Sequence, residues 1–144
     1  MKTDDDPHGE PGPSAMVESF IAAMNAWEIA TASAHRRARD AGLGAAFDGN
    51  RPMLAEIFLQ HCTPRDRPYG RLAAPTFQRP PEYDPATESI VETTIKKAGV
   101  AWVETHRAAS LGGRFRYTLH LRSGRWAIDS VARLGGGGWV KETL

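Results

Sequence analysis

The chain has 144 residues with 18 Lys and Arg against 17 Asp and Glu, a formal charge of +1 that gives no case for a nucleic-acid binder. That length suits one domain with a real core, and a hydrophobic share of 41% is too high for a disordered chain. The single cysteine, Cys62, excludes an internal disulfide and a cysteine-based zinc knuckle, and with no apolar leader and no run near the ~18 residues of a membrane span the expectation is a cytoplasmic protein without membrane contact.

Residues 1–13 mix acid, glycine and proline and read as a flexible tail. Ser14 is then an N-cap candidate for a long helix, Ser14–Ala41, with an apolar stripe of Met16, Phe20, Ala23, Met24, Trp27, Ala30 and Ala34. Glu18, Asn25 and Glu28 fall off that stripe, while His35, Arg36, Arg37 and Arg39 suit the negative end of the helix dipole. A short helical turn is expected over Leu43–Phe47 and a chain turn at Asp48-Gly49-Asn50. Asn50 would cap a second helix with Pro52 in its first turn, and Leu54, Ile57, Phe58 and His61 share one face before Thr63-Pro64 ends it. Residues 63–86 hold six of the ten prolines, so this stretch reads as irregular with one short strand near Ala74–Gln78.

The period then changes to two. Ser89–Ile95, Val100–His106, Gly113–Leu121 and Arg125–Arg133 read as strands, with turns at Lys97-Ala98-Gly99 and Ser123-Gly124. In the third strand Phe115, Tyr117, Leu119 and Leu121 lie on one face and Arg114, Arg116, Thr118, His120 and Arg122 on the other. In the fourth, Trp126 and Ile128 oppose Ala127, Asp129 and Val131. Gly135–Gly138 reads as a linker that frees a tail carrying Trp139, so residues 14–134 form the domain and 135–144 lie outside it. Helices first and an antiparallel meander afterwards make an α+β fold, the long helix lying in a curved sheet.

Pro81-Glu82-Tyr83-Asp84-Pro85, Glu88-Ser89-Ile90, Phe115-Arg116-Tyr117-Thr118-Leu119, Gly124-Arg125-Trp126-Ala127-Ile128-Asp129-Ser130 and the terminal Gly138-Trp139 stand in that order. Together with the long first helix they resemble the nuclear-transport-factor-2-fold immunity proteins of bacterial polymorphic toxin systems, over most of residues 14–140. The resemblance implies a nuclear-transport-factor-2-like (cystatin-like) cone and a small cytoplasmic protein that neutralises one cognate toxin by occlusion. It also implies that the protein uses no cofactor and catalyses nothing. The acidic tail and the glycine run are not part of the family pattern.

Each candidate site also has a plainer reading. Trp27, Trp102, Tyr117 and Trp126 could line a pocket in the mouth of a cone, but large aromatics at alternating positions are more often core. Asp129 could be a general base, yet its strand parity opposes that of Trp126 and Ile128, which favours a structural carboxylate that accepts hydrogen bonds from a neighbouring loop. The five histidines show no metal-ligand spacing. Cys62 reads as a buried small hydrophobe. The row Arg114, Arg116, His120, Arg122, with Arg125 across the turn, is either a solvated outer face or the surface that docks the toxin. The rival function is an isomerase-, cyclase- or dehydratase-like enzyme or small-molecule binder of the same fold, drawing on Asp129, Glu104, His106 and Tyr117. A homodimer through the sheet face is a further reading of the same row.

Overall fold

The computed structural model describes residues 11–40, 46–68, 70–72, 81–108 and 112–144. Residues 1–10 of the expected tail 1–13, residues 43–45 of the expected turn at Leu43–Phe47 and the expected strand near Ala74–Gln78 lie outside them, while Pro13 of the expected tail already opens a helix. The first helix, α1, runs Pro13–Asp40, 28 residues and about 42 Å long at ~1.5 Å per residue. One face of it is fully covered: Met16, Val17, Phe20, Ile21, Met24 and Trp27 are all buried, as is Thr31.

The second helix, α2, runs Ala46–His61 and departs from the expected turn and cap at Asp48–Asn50. Asp48, Gly49 and Asn50 are helical and Pro52 stands inside the helix rather than in its first turn. The cause is tertiary. The Trp27 Nε1–H donates to the Asn50 carbonyl at 2.9 Å, and the Asn50 amide donates to Thr31 Oγ1 at 3.1 Å. Contacts to α1 on both the backbone and the side chain of Asn50 outweigh its local preference for a turn.

Among the described residues the sheet has five antiparallel strands in the order β1 (Glu88–Lys97), β2 (Val100–Arg107), β3 (Gly113–Arg122), β4 (Arg125–Gly135) and β5 (Gly138–Glu142). The first four match the expected strands to within two residues. The fifth corrects the linker reading: Gly135 pairs with Gly138, Leu134 with Trp139, and the pairing continues to Val131 and Glu142. Gly138 has φ of 121°, a conformation closed to residues with a Cβ, so the glycines serve a hairpin turn rather than a flexible spacer. The chain beyond β5 is also part of the domain. Leu144 sits in the core and its carbonyl accepts the Arg71 N–H at 3.1 Å, so 135–144 is not a free tail. A Cβ on Gly70 would collide with that same Leu144 carbonyl.

At the β3–β4 turn both Ser123 (φ 53°) and Gly124 (φ 77°) are left-handed, the two-residue geometry that matches strand twist. Register then slips by one residue in β4, since Thr118 faces Ser130 while Leu119 faces Ile128. Asp129 is the extra residue of this bulge. Val131 was expected on the face opposite Ile128, but the bulge turns it inward, where it is 3% exposed and joins Ile128 in the core. The core between α1, α2 and the sheet is completed by Leu54, Phe58, Tyr83, Val103, Phe115, Tyr117 and Leu119. Phe20 at its centre meets Phe58 and Tyr83 edge-on, with centroids 6.0 and 5.4 Å away.

Candidate functional site

The predicted cationic row does lie on the outer face of the sheet, but the structure divides it. On β3, Arg114 and Arg116 reach across to Glu104 of β2. Arg114 donates to Oε1 at 2.9 Å, and Arg116 donates to Oε2 through Nε at 3.2 Å and its terminal nitrogen at 3.0 Å. Burial alone would raise the Glu104 carboxyl; the two arginines outweigh it and hold the group below its usual range. The Arg116 guanidinium is also stacked between aromatic rings, 3.7 Å from the Trp102 centroid and 4.1 Å from that of Trp139. Lys96 Nζ lies 4.1 Å from the Trp102 centroid. His120 follows with Nδ1 3.9 Å from Asp129 Oδ1. Arg122 and Arg125 flank the β3–β4 turn, and among the described residues neither has a carboxylate within ion-pair distance.

The four aromatics named as pocket lining do not converge. Trp27 and Tyr117 are buried in the core, Trp126 packs against it, and Trp102 lies on the opposite, outer side of the sheet. The acid–base candidates are equally scattered: Glu104 is held by arginines on the outer face, His106 is exposed, and Tyr117 is internal. Asp129 has the structural role expected of it. It accepts from Thr63 Oγ1 at 2.9 Å and from Arg65 at 2.9 Å, tying the loop after α2 to β4. Burial pushes its carboxyl up, but these bonds and nearby His120 leave it below the usual range.

A second polar cluster, missed in the sequence, fills the inner side. Glu28 of α1 pairs with Arg71 at 3.0 Å, Arg71 also pairs with Glu82, Glu82 faces Arg107 at 3.4 Å, and Arg107 donates to Glu88 at 2.8 Å. Glu88 further accepts from Thr105 Oγ1 at 2.6 Å and the Tyr117 hydroxyl at 2.9 Å. Burial pushes the Tyr117 hydroxyl well above its ordinary range, so it stays protonated as a donor. Asn25 and Glu28 grip both backbone groups of Tyr83, at 2.8 Å on its carbonyl and 3.0 Å on its N–H. The expectation that Glu28 falls off the buried face is therefore corrected. Glu28 lies on a second helical stripe, Val17-Ile21-Met24-Glu28-Thr31, every member of which is at most 2% exposed. Glu88 and Arg107 come opposite one another only through two register shifts in β1, between Ile90 and Glu92 and between Ile95 and Lys97, so the turn at Ala98-Gly99 alone does not announce the pair. Among the described residues no buried side-chain nitrogen or oxygen lacks a partner.

The profile of the NTF2 fold immunity protein family matches residues 13–143. The chain belongs to this family. It is also 28% identical over 131 residues to Immunity protein RhsIA of Dickeya dadantii (strain 3937), an alignment covering 90% of this chain and 93% of that protein. No solved structure matches significantly. Within this family member, the segments that carry the resemblance serve mainly to build the fold. Pro81–Pro85 is the stretch clamped to α1 through Tyr83, and Asp84 turns the chain into β1 by accepting the Thr87 and Glu88 N–H groups at 3.0 and 2.9 Å. Trp126–Ser130 is the bulged strand that receives α2, with Cys62 bridged to Ile128. Among the described residues no helix is long and apolar enough to cross a membrane.

Beside the outer face runs a trough. A groove of about 620 Å³ lies between the end of α2 and the β3–β4 turn, with Ala55, Phe58, Leu59, Cys62 and Leu72 as its apolar wall and Arg65, Arg67, Arg122 and Arg125 around them. A second hollow of about 370 Å³, reaching Asp129, Lys141 and Leu144, shares Arg65, Asp66 and Arg67 with the first. Burial pushes the Cys62 thiol up to about 12, so it is protonated and apolar in character here.

Proposed function

We propose that this immunity protein binds one toxin domain and neutralises it by covering its working surface, with no bond made or broken. It would act in the cytoplasm of the cell that makes it and need no cofactor, as befits a protein whose partner is another polypeptide. The observation that carries the reading is the stack of Arg116 between Trp102 and Trp139 on the outer sheet face, pinned from below by Glu104. Trp and Arg dominate interface hot spots because they combine large contact area with directed hydrogen bonding. Here the guanidinium is already ordered, so docking loses little side-chain entropy. Around the stack the neighbouring outer positions of β4 are small, Ala127, Ser130 and Ala132, which leaves a face flat enough for a standard interface of roughly 800 Å² per partner.

Membership of an immunity family supports this reading over a small-molecule enzyme of the same fold. So does the interior, where Tyr117, Glu88 and Arg107 are engaged with one another rather than converging on a space for substrate. The test is survival of cells co-expressing the chain with the toxin domain encoded beside it, together with the measured affinity of the pair. Wild type is expected to protect and bind. Arg116→Ala is expected to keep its fold and lose about 2 kcal/mol of binding, roughly 30-fold. Unchanged affinity in Arg116→Ala and in the Arg114→Glu/Arg116→Glu pair would remove the outer face from the interface.

A further inference from the structure

We infer that the trough beside α2 is a second toxin-contact site, built for an extended segment in which carboxylates alternate with aliphatic side chains. The inference rests on the immunity reading above and specifies what the partner must present.

The charges point that way. On the outer face proper Arg114 and Arg116 share one carboxylate, Glu104, so each has an acidic partner although the trio keeps a charge of +1. The arginines of the trough divide differently. Arg65 is held by Asp129, and Arg67 is fixed against the Thr63 and Asp129 carbonyls at 2.9 and 3.1 Å, so these two shape the wall. Arg122 and Arg125 have no acidic partner among the described residues, yet they stand together at the two ends of a rigid two-residue turn. In the first hollow only Asp66 offsets them; the second adds Asp129, already held by Arg65, and Glu142 beside Lys141. Two guanidinium groups carried by an ordered turn, without an acidic partner among the described residues, at the edge of an apolar wall are complementary to carboxylates set among apolar side chains.

The shape points to a polypeptide segment. Leu59 is 69% exposed in the wall, an apolar surface that gains by being covered. The two hollows lie against the same Arg65–Arg67 ridge, one reaching Arg125 and Ala127 of β4 and the other Asp129 and Ser130, so together they follow β4, as an extended chain requires and a compact ligand does not. Phe58, the aromatic ring in the wall, lies under Arg67, whose guanidinium carbon is 5.9 Å from the ring centroid. A base therefore finds no free stacking platform there, which favours acidic protein over nucleic acid.

The experiment uses the full chain and the toxin domain encoded beside it. Affinity is measured for wild type, Arg122→Glu/Arg125→Glu and Arg122→Lys/Arg125→Lys, and a photo-crosslinking amino acid is placed at Leu59 to capture what lies in the groove. The charge reversal is expected to weaken binding by about 100-fold and the lysine pair by only a few-fold. Thermal midpoints should not fall, since among the described residues neither arginine has an ion pair to lose. The crosslinked toxin peptide should carry Asp or Glu next to Leu, Ile or Val. If wild type binds while the reversed protein binds equally well, or the crosslink captures a segment without carboxylates, the trough assignment is overturned and the immunity reading stands. Competition by single-stranded DNA at the crosslink would overturn it in favour of a nucleic-acid groove. Failure of wild type to bind takes down both readings.

Discussion

The inner and outer sides of this sheet are built from the same two residue types and do opposite things with them. Inside, Glu28, Arg71, Glu82, Arg107 and Glu88 form a ladder in which the Glu28 and Glu88 side chains are fully covered. Outside, a nearly covered Glu104 anchors Arg116 and the more exposed Arg114. The inner ladder joins the proline-rich crossing to α1 and to the strands, and its Glu28 and Glu88 charges are covered by the fold. In the outer cluster the exposed Arg114 adds little to folding, because ion pairs open to water are weak, while Arg116 is held as an ordered guanidinium between two indoles. Which side of the sheet an Arg–Glu group occupies, rather than its composition, separates the group that ties elements together from the one that faces outward.

The largest effect expected from breaking this contrast is at Arg107. Arg107→Ala leaves Glu88 buried without its cation and removes the guanidinium stacked 3.8 Å from the Phe115 centroid, costing about 3–5 kcal/mol in chemical denaturation. Glu28→Gln is next. An amide offers only one acceptor atom where the Arg71 guanidinium and the Tyr83 N–H each require one, so a loss of about 1–3 kcal/mol is expected. Arg114→Ala on the outer face should cost at most about 1 kcal/mol, and a loss as large as that of Arg107→Ala would erase the distinction between the two sides.

Smaller still is a pH effect at the helix junction. Burial lowers the His61 pKa, outweighing the bond of Nδ1–H to the Ile57 carbonyl at 2.7 Å. The unfolded chain therefore takes up the proton first, so the stabilisation is present above about 6.5 and declines as pH falls from there through the folded value. His61→Gln should flatten the fall in thermal midpoint between pH 7 and 5. Glu104 and Asp129, with lowered pKa values, act in the same direction at more acid pH, as each falls through its folded value. Cys62 should react with a thiol reagent only once the protein unfolds.

The long helix, the four-strand meander, the two faces of β3 and the structural part taken by Asp129 were legible because burial on one face imposes a period on the sequence. Three features were not. A run of four glycines suits a linker or a hairpin equally by composition, and only pairing of Leu134 with Trp139 selects the hairpin. The bulge at Asp129 inverts side-chain parity beyond it, which no alternation pattern in β4 announces. The Asp48-Gly49-Asn50 segment is helical through contacts with Trp27 and Thr31, residues about twenty positions earlier in the chain. The candidate site was legible only in part. The basic row was visible, but its division between Glu104-bound and unpaired arginines depends on cross-strand register and on where α2 ends.

Inhibition of the isolated toxin domain as the chain is titrated tests the central claim most directly. Holding by shape and charge predicts loss of toxin activity that is complete at one chain per toxin, and full recovery when the two are separated under denaturing conditions and the toxin is refolded. Inhibition at a small fraction of that ratio, or a toxin that comes back with altered mass, would mean that the chain performs a reaction and would contradict the account.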